Sequence, residues 1–162
     1  MTTSASETSP STLQTSDVPV PAFVALRLIL ALAGAGIVFL GLNVGFGGIA
    51  TLGWQGSPDF VVAADAYAYS VQDSHVRFLG GVWLGVGGLF LLGALLFKRL
   101  TSVLMVLCGL IFVGGLVRMS GFEATPLLGG DIAPSLFAEL FIFPGLALWI
   151  ARAQGIFSSG SD

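Results

Sequence analysis

Three charged residues lie at positions where a membrane would make a charge costly. Glu139 precedes the uncharged run 140–151, about 18 Å of helix, which is too short to cross a bilayer unless Glu139 enters it. Arg118 follows the uncharged stretch 103–117, and Arg77 precedes the longer one 78–97, about 30 Å of helix. An unpaired charge in hydrocarbon costs at least about 2.5–3.5 kcal/mol on insertion scales, so we expect these side chains to face inward and pair.

The predicted site is a polar cluster at one height of the membrane. Asn43 lies about 24 Å of helix beyond Arg27, which brings it to the depth of the three charges. The predicted ligand-binding or buried polar residues are Asn43, Asp73, His75, Arg77, Arg118 and Glu139. Glu139 is expected to pair with Arg77 or Arg118. The donors of the other arginine would then suit an anionic or carbonyl-bearing ligand.

Three interpretations of these charges stay open. The first is a ligand or reaction site, and the second is a structural lock that fixes helix order and register. The third is snorkelling of the arginines toward lipid headgroups. Asp73 and His75 would line the mouth of a site, but His75 taken alone fits an exposed loop histidine better.

Membrane-spanning helices must position these residues. Charged residues make up 9% of the 162-residue chain and hydrophobic residues 55%, whereas soluble domains carry roughly 25% charged residues. The predicted fold class is therefore all-α, an antiparallel integral membrane four-helix bundle with a short interfacial helix between helices one and two. The lipid bilayer is its first expected partner.

Four spans divide the chain. We predict them at about 22–46, 77–97, 102–119 and 135–153, within a membrane domain of 22–153 that lies between a disordered tail of 1–21 and a C-terminal tail of 154–162. The short helix is predicted to begin at Ser57-Pro58-Asp59, which combines a cap residue, a proline and an acid. Tyr67 and Val71 would lie on its apolar face, at the membrane surface.

Glycines and a proline mark special packing within the spans. Gly81, Gly85 and Gly88 form a stripe along helix two, which favours the close approach of another helix. Pro144 has no N–H for the carbonyl of Leu140, so helix four is expected to kink there.

The charge distribution excludes some functions and orients the chain. The net charge is −3 and no Lys/Arg cluster exceeds two residues, so nucleic acid is not an expected partner. One histidine and one cysteine predict no metal or other cofactor. The inner halves of the spans lack ionisable side chains, which argues against a proton or ion path. Arg27, Lys98, Arg99 and Arg152 fall at one face, so the positive-inside rule predicts cytoplasmic termini.

Three motifs resemble those of a known family. They are Arg77-Phe-Leu-Gly-Gly-x-Trp-x-Gly-x-Gly, Gly114-Gly115-x-x-Arg118-x-Ser120, and Glu139-Leu140 followed by Pro144 and Trp149. Together they resemble a domain-of-unknown-function family of small four-helix bacterial membrane proteins, from about Leu28 to Arg152. The resemblance implies four spans in a bacterial cell membrane and no particular activity. A more remote similarity is to the DoxX-like membrane proteins.

Three functions are compatible with these features. The preferred prediction is a binding or accessory protein of the bacterial inner membrane, with a polar outer-leaflet pocket for a small amphiphile or lipid-like ligand. The second is an enzyme that acts on a lipophilic substrate, with Glu139 or His75 exchanging protons. The third is a structural subunit of a homo-oligomer or larger membrane complex, docked through glycine-rich helix faces.

Overall fold

Four long apolar helices make up the part of the chain that the computed structural model describes, residues 20–51, 65–121, 129 and 132–158. Three of them are single α-helices, α1 (Val20–Gly47), α2 (Ala66–Leu95) and α3 (Phe97–Arg118). The fourth contains two shorter α-helices, α4 (Ala133–Phe137) and α5 (Phe143–Ser158). A π-helical turn, Ala138–Ile142, joins α4 to α5, and the three together supply the fourth span. Within these ranges there is no strand. The prediction of an all-α membrane four-helix bundle is confirmed.

Direct backbone contact holds α1 against α2. A Cβ atom on Gly41 would lie 2.5 Å from the backbone nitrogen of Leu84, and one on Gly34 would lie 2.9 Å from the carbonyl oxygen of Gly87. A Cβ atom on Gly80 would overlap the backbone of Gly45. Later residues of α1 meet earlier residues of α2, so the two helices are antiparallel, and only glycine fits at their points of contact.

The predicted glycine stripe on helix two is the wrong one. Around the Cβ positions of Gly81, Gly85 and Gly88 no atom lies within 4 Å, whereas Gly80 and Gly87 touch α1. Glycines occur in adjacent pairs here, so two stripes with the same helical spacing exist one residue apart. Spacing alone does not tell which of them faces a neighbour.

The second span begins earlier than the sequence predicted, at Ala66 rather than at Arg77. Asp65 is the reason, because its carboxylate accepts hydrogen bonds from the backbone N–H groups of Tyr67 (2.8 Å) and Ala68 (3.2 Å) and caps the helix. Tyr67 and Val71 therefore belong to α2. The predicted start of a short helix at 57–59 lies outside the described residues, as does most of the predicted tail of 1–21.

The turn between the second and third spans is also tighter than predicted. α2 ends at Leu95 and α3 begins at Phe97, so Leu96 alone forms the corner. Lys98 and Arg99, which fall between the predicted spans 77–97 and 102–119, lie in the first turn of α3. The pairing of α2 with α3 is antiparallel, with Leu104 packed on Gly93.

Large apolar side chains cover the outside of the bundle as well as its interior. The buried core includes Leu26, Leu30, Phe90, Phe97, Leu104 and Ile150. On the outside, Leu32 is 72% exposed, Phe46 78% and Val106 69%. A soluble protein rarely exposes a continuous apolar surface, so lipid is the environment that suits this one.

Gly80→Ala is expected to destabilise the bundle. The added methyl group would meet the backbone of Val44 and Gly45, which cannot rotate away. Overpacking of this kind costs about 1–3 kcal/mol, more than the roughly 0.5–1 kcal/mol that alanine gains over glycine in a helix. Reversible unfolding of the full chain in mixed detergent micelles would measure the difference.

The neighbouring substitution Gly81→Ala is the matched control. Its methyl group would enter open space within the single chain, so the monomeric variant should be as stable as the monomeric parent chain or up to about 1 kcal/mol more stable. Equal destabilisation by both substitutions would mean that the packed face of α2 has been assigned wrongly.

Candidate functional site

An ion pair joins α3 to the fourth span near the end of both helices. Nη1 of Arg118 lies 3.3 Å from Oε1 of Glu139, and it donates a hydrogen bond of 2.8 Å to Oγ of Ser135. The Glu139 side chain is only 15% exposed and that of Arg118 is 35% exposed. Oε2 of Glu139 is buried and has no hydrogen-bond partner in the described part of the chain. The pair is therefore made on one carboxylate oxygen only.

Local sequence explains why Glu139 points at α3. Ser135 and Glu139 are four residues apart, so both lie on the side of the fourth span that meets Arg118. Gly115 provides the space, since a Cβ atom there would lie 2.9 Å from Cβ of Glu139 and 3.3 Å from its Oε2. The glutamate thus covers a glycine one turn before Arg118.

The π-helical turn at Ala138–Ile142 is a second local cause. Pro144 lies two residues beyond its end and has no N–H to continue an α-helical ladder. The N–H of Phe143 bonds to the carbonyl of Ala138, five residues back. The irregularity predicted for Pro144 thus takes the form of a widened turn that contains Glu139, and such turns occur frequently at functional sites.

Arg77 does not join this pair. Its Nε atom lies 2.6 Å from Oδ2 of Asp73, and its Nη1 atom donates a 2.5 Å hydrogen bond to the carbonyl of Phe46 at the end of α1. Oδ1 of Asp73 accepts a hydrogen bond of 2.8 Å from the backbone N–H of Ile49. Gly48 has a φ angle of +70°, and a Cβ atom there would overlap Asp73. Asp73 and Arg77 therefore tie α2 to the last turn of α1.

Arg27 makes the equivalent contact at the other end of the same helix pair. Its Nε atom donates a 2.5 Å hydrogen bond to the carbonyl of Ala94, and its Nη2 atom donates one of 3.4 Å to that of Leu95. These carbonyls belong to the last turn of α2, where no helical N–H follows to bond them. Each helix of the pair thus has its C-terminal carbonyls bonded by an arginine of the other.

The six residues predicted as one cluster are divided by these contacts. Arg118 and Glu139 form one group, and Asp73 and Arg77 form another. His75 is exposed on α2 rather than in a loop. Asn43 is half-buried on α1, and its Oδ1 atom is the other buried acceptor without a partner among the described residues. Of the two arginines predicted to pair with Glu139, Arg118 is the one that does so.

Three residues of these contacts were not predicted from the sequence. Ser135 could have been found, because its spacing from Glu139 puts both on one helix face. Arg27 gave no signal, since a cation at the start of a span is ordinary in itself. Gly48 gave none either, because only the positive φ angle sets it apart from the other glycines.

The chemistry available at Arg118 and Glu139 is hydrogen bonding to a polar group. Oε2 of Glu139 can accept a proton donor, and the remaining guanidinium donors of Arg118 can bond a carbonyl or an anion. No group of three His, Cys, Asp or Glu side chains suited to a metal ion occurs in the part of the chain that is described.

Fold and charges together define a multi-pass membrane protein, with four helices long and apolar enough to span a bilayer. A family model for a domain of unknown function, DUF4345, matches residues 25–151. The chain belongs to that family, and the resemblance predicted from its three motifs is confirmed. No curated protein and no solved structure gives a significant match.

Gly115→Ala is expected to separate α3 from the fourth span at the ion pair. The methyl group would crowd the Cβ atom of Glu139 and a methyl group of Leu140, at a cost of about 1–3 kcal/mol. Unfolding in mixed micelles would measure this loss. Gly114→Ala is the control, because no atom lies within 4 Å of a Cβ at Gly114. Equal stability of the two variants would contradict the packing of Glu139 on Gly115.

Proposed function

We propose that this is a binding or accessory protein whose Arg118–Glu139 pair holds the polar group of a small lipophilic molecule. The observation that carries the proposal is the buried Oε2 atom of Glu139, which has no hydrogen-bond partner among the described residues. Leaving a buried acceptor unbonded costs about 1–3 kcal/mol, and more when the group is charged. A ligand that donates a hydrogen bond to this oxygen would recover that free energy.

The arginine supports the same proposal from the other side. A guanidinium carries five N–H donors, and the contacts of Arg118 to Ser135 and Glu139 both use its Nη1 atom. Its side chain is 35% exposed, so a molecule can reach it. The ligand class that fits is a small amphiphile with a hydroxyl or amide donor next to a carbonyl or anionic acceptor.

A purely structural lock is the competing interpretation, and the geometry favours it less. Charge-assisted hydrogen bonds between nitrogen and oxygen are about 2.7–2.9 Å long, and arginine–carboxylate pairs are frequently bidentate. The Arg118–Glu139 contact is 3.3 Å and involves one oxygen. The Arg77–Asp73 contact of 2.6 Å lies within α2. A lock between helices looks like the further bonds of this pair, in which Arg77 donates to the carbonyl of Phe46 and Asp73 accepts from the N–H of Ile49.

The proposal includes a location and an orientation. We infer a bacterial inner membrane, with both termini and the Lys98–Arg99 pair on the cytoplasmic side. The support is the arrangement of charge, since Arg27 and the Lys98–Arg99 pair lie at the end of the bundle opposite Glu139. The ligand site then opens to the outer leaflet.

A charge swap separates a ligand site from a lock. Glu139→Arg or Arg118→Glu alone should cost about 3 kcal/mol in unfolding free energy, because each leaves a like-charge pair in a half-buried position. The double variant restores an ion pair of opposite sense, so its stability should recover. Native mass spectrometry of the gently purified full chain would show a retained small molecule in the parent protein and none in the double variant.

The outcomes of this experiment distinguish the two interpretations. A double variant that regains stability but not the bound molecule supports the ligand site. A parent chain that carries no small molecule, or a double variant that retains it unchanged, would refute the proposal and leave the pair as a lock.

A second candidate function, that of a subunit in a homo-oligomer, is favoured by one observation. Gly81, Gly85 and Gly88 line a face of α2 with no atom near their Cβ positions, and Phe78 (69% exposed) and Val82 (41% exposed) flank them. In lipid, close backbone approach at small residues is a main source of helix association. A second copy of α2 in the same orientation would satisfy this face.

Gly85→Leu tests the oligomer directly. The side chain fits the single chain, because nothing lies within 4 Å of the Cβ position, but it would hold two α2 helices apart. The mass of the protein in detergent, measured by light scattering, should fall from that of a dimer to that of a monomer. Gly109→Leu, at an open glycine of α3, is the control and should leave the mass unchanged. A monomeric parent chain would rule the candidate out.

A further inference from the structure

The end of the bundle opposite Glu139 carries only positive charge among the described residues. Arg27, Lys98 and Arg99 lie there, at the start of α1 and the start of α3. Arg152 of α5 lies there too, since the fourth span runs antiparallel to α3. The described acids, Asp65, Asp73 and Glu139, lie at or near the far ends of α2 and the fourth span. We call the end of the bundle that carries Arg27, Lys98, Arg99 and Arg152 the basic end.

A groove of about 310 Å³ opens at the basic end. It is lined by Phe23, Arg27, Leu95, Leu96, Phe97, Lys98 and Arg99. Leu95 is 70% exposed and Leu96 47% exposed, so one wall is apolar and accessible from the bilayer. The other wall carries the three cations. A groove with these two walls fits a molecule that is anionic at one end and apolar at the other.

The groove results from the corner at Leu96. Because α2 stops there and α3 begins at once, the end of one helix and the start of the next lie side by side. Arg27 is fixed across this corner by its hydrogen bonds to Ala94 and Leu95, with its guanidinium 6.0 Å from the centre of the Phe23 ring. Phe23 in turn packs edge-on against Phe97 at 5.3 Å. The groove is thus built before any ligand arrives.

The start of α3 adds to the attraction for an anion. Leu96 offers no side-chain cap to this helix. The first hydrogen bonds of this helix run from the N–H groups of Arg99 and Leu100 to the carbonyl of Leu96. The N–H of Phe97 comes before them in the chain, as is usual for the first residue of a helix. The helix dipole gives the start of α3 a partial positive charge, which favours an anion at this position.

We propose that this groove binds the phosphate headgroup of an anionic phospholipid, with its acyl chains lying against Leu95 and Leu96. Basic pockets between membrane helices recognise such headgroups through the same combination of charge and apolar surface. A free phosphate would use only the cations, and a zwitterionic lipid would bring a positive group into a positive groove. The site is separate from the Arg118–Glu139 pair, at the other end of the bundle.

Native mass spectrometry of the delipidated full chain tests the proposal, with phosphatidylglycerol and phosphatidylcholine of the same acyl chains as probes. One phosphatidylglycerol molecule per chain should bind, at a lipid concentration well below the one at which phosphatidylcholine binds. Removing one nearby cation weakens anionic-lipid binding by roughly fivefold. Lys98→Gln/Arg99→Gln should therefore weaken phosphatidylglycerol binding by roughly 25-fold. Should the double variant fail to fold, Arg99→Gln alone should weaken it by roughly fivefold.

Arg152→Gln is the matched control, because it removes a cation from the same end without touching the groove. It should leave phosphatidylglycerol binding nearly unchanged. An equal loss in this variant would show a diffuse surface charge instead of a site and would overturn the proposal. Equal binding of the two lipids, or displacement of phosphatidylglycerol by an equal concentration of inorganic phosphate, would overturn it as well.

Discussion

Backbone contact between α1 and α2 is the interaction on which the rest of the bundle depends. Lipid tails are as apolar as leucine, so hydrophobic burial does not drive these helices together, and close packing with polar contacts must do so. Gly34, Gly41, Gly80 and Gly87 bring the two backbones into contact between residues 34–45 of α1 and 80–91 of α2. The polar contacts are added at both ends, where Arg27 and Arg77 bond the last carbonyls of the opposite helix.

This exchange of arginines solves two problems at once. A helix end near lipid leaves carbonyls without donors, and an arginine near lipid needs acceptors. At each end of the α1–α2 pair the arginine donates hydrogen bonds to the carbonyls that lack donors. In Arg77, Nε is therefore bonded to the carboxylate of Asp73 and Nη1 to the carbonyl of Phe46. Arg77 therefore stabilises the fold, although the depth argument from the sequence gave it the same status as Arg118.

The fold was largely predictable from the sequence, and the reasons are physical. The long uncharged run between Arg77 and Lys98 can hardly be anything but a span, and the hairpin to α3 follows from the short link. Helix faces were less predictable, because the glycine pairs 80–81 and 87–88 allow two stripes and only the neighbouring backbone selects one. The start of α2 was predicted too late, at Arg77, because the span was begun at a charged residue. The helix in fact begins at Ala66, where Asp65 caps it.

The polar residues show what depth can and cannot tell. Depth depends on the count of residues from a helix end, and this count predicted one height for Arg77, Arg118 and Glu139. Contact depends also on the angle around each helix, and there the sequence offers only spacing. Ser135 and Glu139 share a face because they are four residues apart, but nothing in the sequence links that face to Gly115.

Of the two ion pairs, Asp73–Arg77 and Glu139–Arg118, only the first has a hydrogen bond on each carboxylate oxygen among the described residues. Asp73 bonds through both oxygens, one to Arg77 and one to the backbone of Ile49. Glu139 bonds through one in the described part of the chain, within the π-helical turn that precedes Pro144. If the pair only fixed helix order, a glutamine or a leucine that fills the same space would do so without the desolvation of a charge. Fixing helix order therefore does not by itself account for a carboxylate at this position, where Oε2 of Glu139 has no hydrogen-bond partner among the described residues.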